Sequence, residues 1–234
     1  MVNMLKNCAN SILNALKLEG WMNTMMNDRQ NLEWENTWLS GANSDHDRVL
    51  LVGDSVTRDI RKTLDGILNV NRENRIEVDL FAATFSILDG IFWRYLQCFL
   101  GDQYNWKYIV INYGFHHGFS VQCNINEKDA ANFQMEYQNI IKLLKCYGEE
   151  IIVMTGNPMV YKDRLDVINE EIDAEIQARN KILKDIAVDM GYSIFDIYNL
   201  IMADRQMFQY KDQVHFEEQT YHFVCELLRD RLVL

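Results

Sequence analysis

The stretch Arg48-Val49-Leu50-Leu51-Val52-Gly53-Asp54-Ser55 decides how the rest of the chain is read. Its short apolar run ends on a glycine. From Val56 onward the apolar residues fall at Val56, Ile60, Leu64, Ile67 and Leu68. That spacing predicts a helix over 55–68, directly after a buried strand over 49–52. Glycine at the junction permits a sharp turn that lifts the next residues clear of the strand end.

Outward from this unit the same alternation repeats. Residues 76–84 read as a strand and 86–100 as a buried helix. A third strand at 108–112 leads into a loop through His116, His117 and Gly118. A helix over 129–147 precedes a fourth strand at 151–155. Residues 165–190 read as one long helix, with Leu165, Ile168, Ile172, Ile176, Ile182, Leu183 and Ile186 on a stripe and Gly191 as its stop. A fifth strand at 192–197 and a helix over 217–232 complete the pattern. Strands alternating with helices imply parallel strands joined by right-handed crossovers and covered on both faces. The expected fold is a three-layer α/β/α sandwich on a five-stranded parallel sheet. In such sheets the ligand site lies beyond the carboxyl ends of the strands, just after Val52, Thr84, Asn112 and Thr155.

Residues 1–45 do not fit the alternation. They hold Trp21, Trp34 and Trp38 among many methionines and read as a helical extension packed on the core, with residues 46–234 forming the main domain. With a single proline, Pro158, and no linker-like or repeated stretch, one continuous domain is the economical division.

Composition narrows the function classes. The 234 residues carry 23 Lys plus Arg against 34 Asp plus Glu, a net charge of −11. Such a surface repels phosphate backbones and anionic lipid, so neither nucleic acid nor a membrane is an expected partner. The longest apolar runs are interrupted by Asp89 and Arg94, and Asn3, Lys6, Asn7 and Asn10 break the N-terminal segment. The expectation is therefore a cytoplasmic protein. Cys8, Cys98, Cys123, Cys146 and Cys225 form no C-x-x-C pair, which suits reduced, mostly buried thiols.

A serine at a helix N-terminus sits where backbone N–H groups and the helix dipole favour developing negative charge. Ser55 is thus a candidate nucleophile, although Gly53-Asp54-Ser55 alone reads first as a helix cap. A serine needs a base. His215, just before the last helix, has a carboxylate three residues ahead at Asp212. That carboxylate can orient the imidazole and stabilise its protonated form. A serine after the first strand together with Asp–His before the final helix is a far rarer combination than either alone. His116 and His117 are adjacent, point apart and lack a carboxylate to complete a metal site, so no metal is expected.

Val52-Gly53-Asp54-Ser55, Asn112-Tyr113-Gly114 and Asp212-x-x-His215 resemble, in identity and order, the sequence blocks of the SGNH (GDSL-type) hydrolase superfamily. The resemblance runs from about Arg48 to the C-terminus. It implies a flavodoxin-like sheet and an acyl-enzyme mechanism on esters without a metal or organic cofactor. Ser55 would be the nucleophile, His215 the base and Asp212 its orienter. The oxyanion hole would use Ser55, Thr84, Gly114 and His116. Two positions depart from the family pattern. Ala82-Ala83-Thr84-Phe85 replaces a glycine after the second strand, and Gly114-Phe115-His116 replaces G-x-N. Gly53-Asp54-Ser55-x-x-Arg58 and His116-His117 are more similar to the PC-esterase-like branch, which acts on O-acyl groups of glycans. Arg58, His117 and Asn157 are the candidate substrate contacts, with Arg58 equally able to pair with a neighbouring carboxylate. The implied activity is hydrolysis of O-acyl esters, O-acetyl above all, of a carbohydrate or small polar substrate. Transfer of the acyl group to a sugar hydroxyl and an inert binding role on the same fold are the alternatives.

Overall fold

The computed structural model describes residues 35–40, 46–70, 72–73, 75–88, 90–101, 105–112 and 127–232. Its centre is β2 (Arg48–Gly53), buried at every position and flanked by β3 (Glu77–Ala83) and β4 (Trp106–Asn112), both parallel to it. β5 (Gly148–Met154) and β8 (Ser193–Phe195) extend the parallel sheet beyond β4. The order β3-β2-β4-β5-β8 is the doubly wound, flavodoxin-like arrangement.

Side chains of β2 alternate between two cores, as a strand's period of two requires. Leu50 and Val52 join Phe92, Leu96, Phe133, Tyr137 and Leu183 on one face. They pack there against α2 (Gly90–Leu100), α3 (Glu127–Lys145) and α4 (Glu170–Met190). Val49 and Leu51 join Val56, Ile60, Leu64, Val224 and Leu228 on the other. That second layer is α1 (Ser55–Leu68), α5 (Ile197–Ala203) and α6 (Glu218–Arg229). The three-layer expectation therefore holds, and the helix read at 55–68 has the bounds expected.

Apart from shifted ends, of which the largest is the helix read at 86–100 beginning only at Gly90, three elements differ from the reading. The sheet has six strands, not five. The extra one is β1 (Glu35–Trp38), antiparallel to β3 at the edge, in the segment expected to be helical. Four residues are too short to show a period, and the neighbouring tryptophans and methionines suggested a helical stripe instead. Trp38 lies on the exposed surface, with the Arg61 guanidinium over its ring. Residues 1–34 and 41–45 of the expected extension lie outside the described residues.

Second, the helix read over 165–190 starts only at Glu170. Before it, β6 (Val160–Tyr161) and β7 (Arg164–Ile168) form an antiparallel hairpin. Asn169 caps the helix by accepting the Glu171 N–H, and Glu170, Glu171 and Asp173 complement the dipole in its first turn. Leu165 and Ile168 share helical spacing by coincidence. Gly191 ends the helix in the left-handed conformation at φ 71°, as expected. Third, the last strand stops at Phe195, because Asp196 caps α5 through the Asn199 N–H.

No helix among the described residues is long and apolar enough to cross a membrane. Of the cysteines that are described, Cys146 and Cys225 are buried and Cys98 is exposed, all as free thiols. Burial pushes the Cys225 thiol up to about 12, the direction of a thiol packed in the core.

Candidate active site

Chain connectivity sets the place of the site. β2 lies between β3 and β4, so the chain leaves β2 toward one neighbour and later returns to the other, opening a crevice beyond its carboxyl end. Ser55 sits at that point. The cap of α1 is Asp54, whose side chain accepts the Val56 N–H at 3.0 Å, not Ser55. Ser55 is therefore the first residue of the helix. Its hydroxyl is not used in capping, and its N–H belongs to the donors that a helix start leaves without an intrahelical acceptor.

Gly53 makes the turn possible by close approach. A Cβ at this position would overlap Thr57 Oγ1 and the Asn112 carbonyl oxygen, so no side chain fits between β2, β4 and α1.

His215 arrives from the far end of the chain. Its Nε2 lies 2.7 Å from Ser55 Oγ, across 160 residues of sequence. Its Nδ1 lies 2.9 Å and 3.0 Å from the two oxygens of Asp212. Asp212 Oδ1 also accepts the backbone N–H groups of Val214 at 2.9 Å and His215 at 2.8 Å. One carboxylate thus shapes the turn and holds the ring. Partial burial works against its charge, but the two backbone donors and the imidazole outweigh that and hold Asp212 below the usual carboxylate range. With Nδ1–H donated to Asp212, Nε2 is left to accept from Ser55 Oγ–H. The hydroxyl, imidazole and carboxylate are in line for proton removal from the serine.

The other expected site residues divide. Thr84 is half-buried at the same sheet edge. The register pairs Ala82 with Gly53, so Thr84 stands two residues past one as Ser55 stands two past the other. Arg58 donates from Nε to Asp59 at 2.8 Å, and Asp59 also accepts the Tyr221 hydroxyl at 3.4 Å. The carboxylate-pairing reading of Arg58 is the one this geometry displays. Asn157, expected against substrate, is 0 % exposed and donates to two backbone carbonyls, so it does not reach the crevice. Gly114, His116 and His117 lie outside the described residues. His46, in the loop before β2, pairs with Glu77 at 3.3 Å.

Several residues around the site were not anticipated. The Asn112 amide reaches Thr155 O at 3.1 Å, and Asn180 exchanges two hydrogen bonds of 2.8 Å with Gly156. Tyr210 Oη donates to Pro158 O at 2.6 Å. Asn112 carried a sequence signal through its place in a quoted motif, and residues 155–158 through their place at the expected sheet edge. Tyr210 and Pro158 are 52 residues apart with nothing local to link them. No group of three His, Cys, Asp or Glu suited to a metal ion occurs among the described residues.

No family model and no curated protein matches the chain. Solved structures do. An acetyl xylan esterase superposes with a TM-score of 0.61 at 19 % identity, over 80 % of this chain and all of that one. An acetylxylan esterase from Geobacillus stearothermophilus gives a TM-score of 0.63 at 12 % identity, over 80 % of this chain and 94 % of that one. A member of the lipolytic G-D-S-L family from Veillonella parvula gives 0.57 at 17 % identity, over 79 % of this chain and 99 % of that one. The chain has the fold of the SGNH (GDSL-type) hydrolases.

Proposed function

We propose that the protein is a serine esterase that removes O-acetyl groups from a carbohydrate or similarly polar alcohol through an acyl-enzyme on Ser55. The observation that carries this reading is the unbroken hydrogen-bonded line Ser55–His215–Asp212 at the carboxyl edge of the sheet. The chemistry follows from it. Ser55 Oγ attacks the ester carbonyl carbon while His215 Nε2 takes its proton, and Asp212 stabilises the imidazolium formed. Negative charge on the carbonyl oxygen develops beside the N-terminus of α1, where the Ser55 N–H and the helix dipole favour it. His215 then passes its proton to the departing alcohol oxygen. Water attacks the acyl-enzyme with His215 again as base, releasing acetate and restoring the Ser55 hydroxyl.

The substrate class is supported by the fold shared with acetyl xylan esterases and by the glycan O-acyl chemistry that the PC-esterase-like motifs imply. Hydrolysis is favoured over transfer to a sugar by the openness of the base. The side chains of His215 and Asp212 are 26 % and 53 % exposed, so water has access to the acyl-enzyme.

The test is covalent. A fluorophosphonate should label the wild type to one equivalent at Ser55 and leave Ser55→Ala unlabelled. The wild type should release acetate from an acetylated oligosaccharide, and Ser55→Ala should lose this by on the order of 10⁴-fold or more. A wild type that stays unlabelled, or a Ser55→Ala variant that keeps its turnover, defeats the reading. Acetate release that gives way to acetylated acceptor on addition of free sugar would turn it toward transfer.

A further inference from the structure

We infer that Asn157 is a positioning residue that holds the Asp212–His215 turn against the sheet, and so sets the distance between His215 and Ser55. The inference rests on the esterase reading above and adds to it the element that fixes the base.

The turn carrying His215 hangs between Tyr210 and Phe216, outside the main sheet. All five residues within it, 211–215, are exposed or half-buried, so packing alone does not fix it. What ties it to the body is the segment that follows β5. Asn157 Nδ2 donates to Val214 O, one residue before His215, at 3.0 Å, and to Pro158 O at 3.1 Å. Val160 N–H donates to Gln213 O at 3.0 Å. The Tyr210 hydroxyl closes the base of the turn on Pro158 O. The segment itself is anchored at its other end. Asn112, at the end of β4, donates to Thr155 O, and Asn180 of α4 brackets Gly156 with both amide atoms. A continuous set of hydrogen bonds therefore runs from β4, whose last residue is in register with Gly53, to the residue before His215. Ser55 is held from one end of this frame and His215 from the other.

The side-chain chemistry at 157 suits this task and not simple filling. Both nearby acceptors are carbonyls, so the amide orientation is determined: the NH₂ must face them. Its Oδ1 is then left buried without a hydrogen-bond partner among the described residues. An apolar residue of similar shape would avoid that penalty and forgo the bonds to Val214 O and Pro158 O, of which only the first reaches the turn.

Asn157→Leu keeps the branching and the number of side-chain heavy atoms and removes the tie. Turnover should fall on the order of tenfold to a hundredfold, as small displacements of reacting groups do. KM should stay unchanged, because Asn157 does not reach the crevice. A second readout needs no catalysis. The downfield Nδ1–H proton of His215 in the wild type should exchange faster with water in Asn157→Leu, measured well below the melting temperature. If Asn157→Leu does not fold, Tyr210→Phe, which loses the hydroxyl bonded to Pro158 O and close to the Asn157 amide, should give the same signature at smaller size. A folded variant with wild-type kcat and an unchanged His215 proton overturns the inference. Failure of the esterase reading would show separately, as an unlabelled wild type whose His215 proton still responds to Asn157→Leu.

Discussion

The two ends of the central sheet hold a buried carboxylate network and an open one, built from similar parts. At the amino end, Asp79 accepts from Arg48 Nε at 2.9 Å, Arg48 Nη2 at 2.8 Å, Trp106 Nε1 at 2.7 Å and the Ser40 N–H at 2.7 Å. Asp79 and Arg48 are 0 % and 2 % exposed. At the carboxyl end, Asp212 accepts from two backbone donors and an imidazole, and more than half of its side chain is open to solvent. The first partner is a guanidinium that never loses its charge, so the cluster is a brace joining the start of β2, β3, β4 and the segment after β1. The second partner is an imidazole, whose two nitrogens can take up a proton at one atom while donating at the other, so the same kind of carboxylate becomes part of a relay.

Identical substitutions at the two carboxylates should separate these roles. Asp212→Asn keeps an oxygen for the Val214 and His215 N–H groups, so the turn survives. Its new NH₂ faces His215 Nδ1, which forces the proton onto Nε2 and removes the acceptor for Ser55. Turnover should drop by about 10⁴-fold, with little change in melting temperature. Asp79→Asn leaves the Arg48 charge buried without its counter-ion. It should cost about 3–5 kcal/mol of stability, a fall in Tm on the order of 10 °C, while the molecules that remain folded keep their turnover. Thermal melts and kinetics on both variants check the pair. A stability loss confined to Asp212→Asn would reverse the assignment of the two ends.

Gly53→Ala should blur the contrast. A methyl group there collides with Thr57 and with the backbone oxygen of Asn112, and the backbone cannot rotate away. The strand end must shift, at about 1–3 kcal/mol, and Ser55 shifts with it. Stability and turnover should therefore fall together, with denaturant melts and fluorophosphonate labelling rates moving in parallel. Normal labelling in a destabilised Gly53→Ala protein would mean that Ser55 is held from α1 alone.

The parts legible from sequence are those with strong local patterns. Val49 to Leu68 announces a strand, a turn and a helix because an unbroken apolar run ends on glycine and gives way to helical spacing within twenty residues. Ser55, Asp212 and His215 drew notice because the serine follows the first strand directly and Asp-x-x-His precedes the last helix. What escaped is held by non-local bonds. β1 exists through pairing with β3 and through Ser40 meeting Asp79, 39 residues away. Leu165 and Ile168 matched a helical period while belonging to a hairpin. Asn157 sits at the expected sheet edge, yet its amide points inward to Val214 O, a direction that no single-chain pattern encodes.

Acid should weaken the amino end more than the carboxyl end. Glu77, at the amino end, is held below the usual carboxylate range: burial opposes its charge, and His46 and Arg75 outweigh it. Asp212 is shifted in the same direction. A carboxyl with a depressed folded value contributes stability that is complete above its unfolded value, near 4 for either residue, and that is lost as pH falls through the folded value. The Glu77 side chain is only 7 % exposed, whereas that of Asp212 is 53 % exposed and screened by water. Melting temperatures taken from pH 7 down to about pH 3 should fall less steeply below pH 5 in Glu77→Gln than in wild type. Asp212→Asn should follow the wild-type curve closely. If Asp212→Asn flattened the acid limb more than Glu77→Gln did, the turn bearing His215 would be a principal support of the fold, and the division into a brace at one end and a reactive site at the other would fail.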